Sequence, residues 1–60
     1  MTVREIKQIL KAKVPGIRCM TVAGTALKCI AVGTKYSYRI YSSYCNTEGE
    51  AWRDAYKYLS

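Results

Sequence analysis

Apolar residues recur at helical spacing in the first fourteen residues of the chain. A stripe that repeats every three or four residues predicts an amphipathic helix. The stripe consists of Val3, Ile6, Ile9, Leu10 and Val14. Thr2 and Glu5 form the pattern of a capping box, in which a hydroxyl and a carboxylate satisfy free backbone N–H groups at the helix start. Pro15 ends the helix, because the residue before a proline is pushed out of the helical region.

A second helix is predicted near the C-terminus and ends at about Leu59. Thr47 and Glu50 repeat the capping-box pattern, and Glu48 sits where the helix dipole favours negative charge. The apolar stripe of this helix consists of Ala51, Trp52, Ala55, Tyr56 and Leu59. Trp52 is predicted to anchor the core, since large aromatic side chains supply much of the buried area in a small domain.

Between the helices, two hairpins are predicted to form an antiparallel meander. The three strands are expected at 17–23, 26–32 and 35–42. Gly24 and Gly33 are each followed by Thr, and Gly at the first central position suits a two-residue type II′ turn. With such loops, paired residue numbers add to 49 in the first hairpin and to 67 in the second. This register places Lys28 directly opposite Arg39.

Successive side chains on a strand point to opposite faces, so the register sorts the sheet into two surfaces. The face predicted to pack against the helices carries Met20, Val22, Leu27, Cys29, Ala31, Tyr36, Tyr38 and Ile40. The face predicted to meet solvent carries Ile17, Cys19, Thr21, Lys28, Ile30, Val32, Lys35, Ser37, Arg39 and Tyr41. The predicted fold class is α+β in the order α-β-β-β-α. It forms one domain, 1–60, with a three-stranded antiparallel meander and two helices packed on one face.

The net charge of +6 comes from ten Lys and Arg against four Asp and Glu. Residues 1–45 hold eight of those cations, with Glu5 as the one acid. A basic balance of this size points to an anionic partner such as nucleic acid, an acidic protein or acidic lipid headgroups. No apolar run is long enough to span a bilayer, so a membrane partner is not expected.

Catalysis is not expected, because the chain has no His to act as a general base near neutral pH. Cys19, Cys29 and Cys45 are spaced without a Cys-x-x-Cys motif. Neither a zinc site nor any other metal or cofactor is therefore predicted. The N-terminal residues lack the apolar core of a secretion signal, which predicts a cytoplasmic protein with reduced thiols.

The element order resembles that of the double-stranded-RNA-binding domain, which reads A-form RNA by its shape. In that family a basic cluster at the start of the second helix contacts phosphate, whereas Thr47-Glu48-Gly49-Glu50 stands at that position here. The resemblance is one of topology and carries over no functional residue.

A second resemblance covers the first third of the chain. The run from Val3 to Ile17, VREIKQILKAKVPGI, resembles the opening of small domains found in phage and mobile-element polyvalent proteins. This resemblance implies a phage or mobile-element origin, with the host-cell cytoplasm as the location. Short stand-alone proteins of such origin often bind and block host machinery, anti-CRISPR proteins among them.

The first functional hypothesis is association with nucleic acid, RNA or DNA, through the solvent-facing side of the sheet and the first helix. Cations placed along such a surface neutralise phosphates. The predicted phosphate-binding residues are Lys28, Lys35 and Arg39, assisted by Lys7 and Lys11. Tyr41 is predicted to stack on a base, since every base has a π-face.

The alternative hypothesis is binding of an acidic host protein, either as an inhibitor of anti-CRISPR type or as an adaptor. Tyr and Arg are common among the residues that dominate protein interfaces. The predicted contact residues are Ile30, Val32, Tyr41 and Arg39. A homodimer through the same apolar strip is a variant of this hypothesis, because it would add buried surface to a small domain.

Overall fold

A computed structural model describes residues 1–34 and 36–59 as two helices and one three-stranded sheet. The helices are α1 at Val3–Lys13 and α2 at Glu48–Leu59. The strands are β1 at Arg18–Thr21, β2 at Lys28–Gly33 and β3 at Tyr38–Ile40. β2 lies in the middle and pairs antiparallel with both neighbours. The predicted α+β class and the α-β-β-β-α order are confirmed.

Both helices begin at the threonines that the sequence indicates. The Thr2 hydroxyl accepts a hydrogen bond from the Glu5 N–H at 3.2 Å, and the Glu5 carboxylate accepts one from the Thr2 N–H at 3.1 Å. At α2, the Thr47 hydroxyl accepts from the Glu50 N–H at 3.2 Å and donates to the Glu50 carboxylate at 3.1 Å. These bonds satisfy backbone donors that the first turn of a helix leaves free.

The two helices run in the same direction and cover one face of the sheet. At their N-terminal ends, Val3 lies against Gly49. At their C-terminal ends, the Lys13 ammonium donates to the Leu59 carbonyl at 3.2 Å, where a cation suits the helix dipole. α2 packs directly on β1 and β2, while α1 packs against α2. The prediction that both helices lie on one face is confirmed.

The face that the helices cover is the opposite of the predicted one. The buried cluster beneath the helices consists of Ile6, Leu10, Ile17, Ile30, Ala51, Trp52 and Ala55. Cys19, Val32 and Tyr41 pack against it. Side-chain volume explains the difference, because branched Ile17 and Ile30 fill the space under a helix better than small residues do.

The face without helices, which we call the uncovered face, carries Met20, Val22, Cys29, Ala31, Tyr38 and Ile40. Cys29 and Ala31 are the small residues of β2 and lie at its centre, only 2% and 0% exposed. Their burial on this side comes from neighbouring side chains of the sheet, since the helices pack on the other face.

The register of the first hairpin is as predicted. Arg18 pairs with Ala31 and Met20 with Cys29, so paired numbers add to 49. The turn is wider than the expected two residues, because the Val22 N–H donates to the Leu27 carbonyl at 2.8 Å and closes the loop there. Gly24 takes the third position of the turn, with φ of 78°, rather than the first central position.

The predicted register of the second hairpin is wrong, because the sum of paired residue numbers differs from the predicted 67 by four. Val32 pairs with Arg39 and Gly33 with Tyr38, so paired numbers add to 71. Thr34 sets this register, because its N–H donates to the Ser37 carbonyl at 2.9 Å and its hydroxyl accepts from the Ser37 N–H at 3.2 Å. These local bonds move the turn two residues along the chain and leave Gly33 in β2. The predicted pairing of Lys28 with Arg39 is therefore wrong.

A bulge follows β3, and after it the chain pairs with β2 again. Lys28 and Cys45 exchange backbone hydrogen bonds of 2.7 and 2.8 Å. Closer to β3, the Ser42 hydroxyl accepts a hydrogen bond from the Ile30 N–H at 2.8 Å. A side-chain oxygen thus takes the place of the backbone carbonyl that accepts this bond in a regular sheet. The Asp54 carboxylate holds the bulge from α2 by accepting the Ser43 N–H at 2.6 Å.

Gly33→Ala is expected to destabilise the protein by about 3 kcal/mol or more, because a side chain there meets backbone. The new Cβ would lie against the Ser37 carbonyl oxygen and 2.8 Å from Tyr38 Cα, at a φ of 128°. Gly24→Ala is the matched control, since φ is also positive there but the added Cβ meets nothing within 4 Å. It should lose only about 1 kcal/mol. Urea unfolding measures both, and equal losses would contradict the clash at Gly33.

Candidate functional site

Lys7 on α1 joins the start of α2 through a carboxylate. Its ammonium lies 2.9 Å from Glu48 Oε2, and the same oxygen accepts the Trp52 indole N–H at 2.9 Å. The Lys7 ammonium also lies 5.7 Å from the centre of the Trp52 ring, within the range of a cation–π contact. Trp52 itself is buried, so these contacts connect the surface charges to the core.

A second lysine reaches the same place from the sheet. Lys28 donates from its ammonium to the Thr21 hydroxyl at 2.8 Å, across the β1–β2 pair. Hydrogen bonds from Trp52 and Lys7 lower the pKa of Glu48, and the positive charges of Lys7 and Lys28 lower that pKa further. Lys7 thus pairs with Glu48, and Lys28 adds a second positive charge nearby, so the two cations offset the charges of Glu48 and Glu50 at the start of α2.

α1 extends this positive charge along its solvent-exposed side. Arg4, Lys7 and Lys11 are spaced by three and four residues, which places them on one side of a helix. Within the described part of the chain, neither Arg4 nor Lys11 forms an ion pair. We call Arg4, Lys7, Lys11 and Lys28 the basic flank. Arg4 was absent from the predicted site, although its spacing from Lys7 and Lys11 was a signal that could have found it.

Arg39 lies away from this flank. It pairs with Val32, four residues from Lys28 along β2, a separation of about 13 Å at 3.3 Å per residue. Its guanidinium lies 5.6 Å from the ring of Tyr41, which in turn meets Tyr58 of α2 edge-on at 6.1 Å and 69°. Tyr41 therefore bridges β3 to α2, and the structure does not bring Arg39 and Lys28 to one site.

The predicted apolar contact residues lie in or against the core. Ile30 is 0% exposed in the buried cluster, and Val32 and Tyr41 pack against that cluster. An interface that uses Ile30 and Val32 would require the helices to leave the sheet, so the predicted apolar strip is wrong. Lys35, another predicted phosphate-binding residue, lies outside the described residues.

The three cysteines are present as free thiols. Burial raises the pKa of Cys19, Cys29 and Cys45, and nearby carboxylates contribute, Glu48 at Cys19 and Asp54 at Cys45. A raised pKa keeps a thiol protonated at neutral pH and lowers its reactivity as a nucleophile. Over residues 1–34 and 36–59, no group of three His, Cys, Asp or Glu is arranged to hold a metal ion.

Fold and site together define a small two-layer α+β protein with a basic flank on its helical side. Comparison of the chain with protein-family models, with curated proteins and with solved structures finds no match in any of the three. Neither of the two helices described is long and apolar enough to cross a membrane.

Glu48→Gln tests the charge arrangement at the start of α2. Its amide oxygen can still accept the Trp52 hydrogen bond, but the attraction to Lys7 and Lys28 is lost. Because the pKa of Glu48 is below its ordinary value of 4.5 in the folded protein, its contribution to stability is present above that value and disappears as pH falls through the lowered pKa. We expect a loss below about 1 kcal/mol at pH 7, because the side chain is 47% exposed and water screens the charges.

Urea unfolding of the wild-type protein and Glu48→Gln at pH 7 and near pH 2 measures this difference. The gap between the two proteins should close at the lower pH, where both carry a neutral side chain. A gap of equal size at both pH values would contradict the ionic origin of the stabilisation.

Proposed function

We propose that this chain is a small, non-enzymatic basic binding protein that associates with nucleic acid through the basic flank. The exposed cations Arg4 and Lys11, on the same side of α1 as Lys7, are the observation that carries this proposal. Lys7 and Lys28 offset the charges of Glu48 and Glu50 at the start of α2, so these acids do not cancel the charge of α1. Arg4 and Lys11 continue that charge along α1 with no carboxylate paired to them within the described residues.

The dimensions of the flank fit the spacing of phosphates. From Arg4 to Lys11 the helix rises about 10 Å at 1.5 Å per residue. One strand of a duplex carries a charge about every 3.4 Å along the axis, so this length faces about three phosphates. Contacts of this kind position a protein on nucleic acid and supply affinity that does not depend on base sequence.

The acidic start of α2 does not argue against this proposal. Glu50 is occupied by the Thr47 cap, and Glu48 is held by Lys7 and Trp52. The cations at this place come from α1 and β2 and not from α2 itself. The phage or mobile-element origin and the cytoplasmic location stay predictions from the sequence.

Fluorescence anisotropy with labelled RNA and DNA oligomers across a salt series tests the proposal. Four phosphate contacts on a duplex predict a slope of about −3.6 in log affinity against log salt, or about a 10²-fold loss between 50 and 200 mM. The double variant Arg4→Gln/Lys11→Gln should weaken binding and reduce the slope by about 2. Lys7 and Lys28 are left intact because they stabilise Glu48 in the fold.

The matched control is Arg18→Gln/Arg39→Gln, which removes the same charge away from the basic flank. We expect its affinity and salt slope to remain close to those of the wild-type protein. Equal losses in the two double variants would show that net charge, and not the flank, drives association. An absence of wild-type binding at low salt would overturn the function itself.

A further inference from the structure

The uncovered face contains a shallow apolar groove. Its volume is about 160 Å³, and the buried Cys29 thiol lies at its base. Met20 and Val22 line it from the β1 side, and Tyr38 and Tyr44 line it from the side of β3 and the bulge. Tyr38 and Tyr44 are 45% and 52% exposed, although both belong to the wall of an apolar groove.

The side chains that line this groove are of the types found at protein–protein interfaces. Tyrosine presents a large, rigid apolar ring with a hydrogen-bonding hydroxyl, and such residues are enriched where proteins bind each other. The small side chain of Cys29 leaves a depression between the two walls, into which an apolar side chain of a partner can fit. An apolar sheet face is ordinarily covered by a helix, as the other face of this sheet is.

The charge distribution identifies the kind of partner. All four carboxylates of the chain belong to the helices, namely Glu5, Glu48, Glu50 and Asp54. The uncovered face carries none of them, while Arg18 stands at its margin beside Ala31. The whole molecule has a net charge of +6. Arg18 therefore favours an acidic surface at this face, and at low salt the field of the whole molecule adds to that attraction and opposes the approach of a second copy.

We propose that the uncovered face docks an acidic amphipathic helix of a protein partner. Apolar side chains of that helix occupy the groove between Val22 and Tyr44, and its carboxylates meet Arg18.

Selection of a displayed library of random 18-residue peptides on the immobilised protein tests this proposal without knowledge of the natural partner. Enriched peptides should carry net negative charge and apolar residues at helical spacing. Binding of those peptides should fall about tenfold or more in Tyr38→Ser/Tyr44→Ser, because two central ring contacts are lost. Both side chains are about half exposed and lie outside the buried cluster, so circular dichroism should show an unchanged fold.

The matched control is Tyr58→Ser, which removes a tyrosine that is 64% exposed on α2. It should bind the selected peptides like the wild-type protein. In ¹H–¹⁵N spectra, an enriched peptide should shift amide signals of Met20, Cys29 and Tyr38 more than those of α1.

Five results would overturn the proposal. Failure to enrich peptides would do so, and so would enriched peptides that are basic or that bind the Tyr38→Ser/Tyr44→Ser variant normally. A concentration-dependent dimer in sedimentation, lost in that variant, would assign the face to a second copy of the chain. Loss of oligonucleotide binding in the same variant would assign it to nucleic acid.

Discussion

The packing of Trp52 with Leu10 and Ile30 is the interaction on which the rest of the structure depends. These are the largest fully buried side chains, and they come from α2, α1 and β2 respectively. A domain of this size has room for a single small core, so one large aromatic residue supplies much of its buried area. The same indole donates to Glu48, which holds Lys7. The position of the basic flank is therefore a consequence of how the core is filled.

The positive surface of the molecule follows from the use of its acids. Each of the four carboxylates has a hydrogen bond within the fold: Glu5 with Thr2, Glu48 with Trp52, Glu50 with Thr47 and Asp54 with Ser43. The bonds of Glu5, Glu48 and Glu50 lie at the start of a helix, and the bond of Asp54 holds the bulge after β3. The four carboxylates thus accept hydrogen bonds within the fold, whereas the side chains of Arg4 and Lys11 are exposed to solvent on α1. Excess positive charge is left where a partner can meet it.

Features set by neighbours in sequence were predictable. The caps of both helices and the register of the first hairpin depend on residues within a few positions of each other, and local patterns describe them. The second hairpin failed because the Thr34 side chain forms a turn that competes with the one expected at Gly33. The choice of covered face failed because counting apolar residues ignored that Ile30 is larger than Cys29.

The candidate site was predictable only in part, because some of its contacts join residues that are far apart in sequence. Lys7 and Lys11 were expected to contribute, and helical spacing would have added Arg4. The contact of Lys7 with Glu48, with the charge of Lys28 nearby, joins three elements far apart in sequence, and no local pattern describes it. Separation of Lys28 from Arg39 has a local cause, since it follows from the register shift that the Thr34 turn produces in the second hairpin.

The basic flank and the uncovered face lie on opposite sides of the sheet, so a ligand at one does not cover the other. Coupling between them would then be electrostatic, because phosphates bound at Lys11 would neutralise part of the +6 charge that would attract an acidic helix to Tyr44. The thinnest dimension of the molecule is 16 Å, about twice the ~8 Å Debye length at physiological salt. Screening through solvent therefore leaves the two surfaces nearly independent under those conditions. At 0.01 M salt the Debye length is about 30 Å, and occupation of one surface would weaken binding at the other.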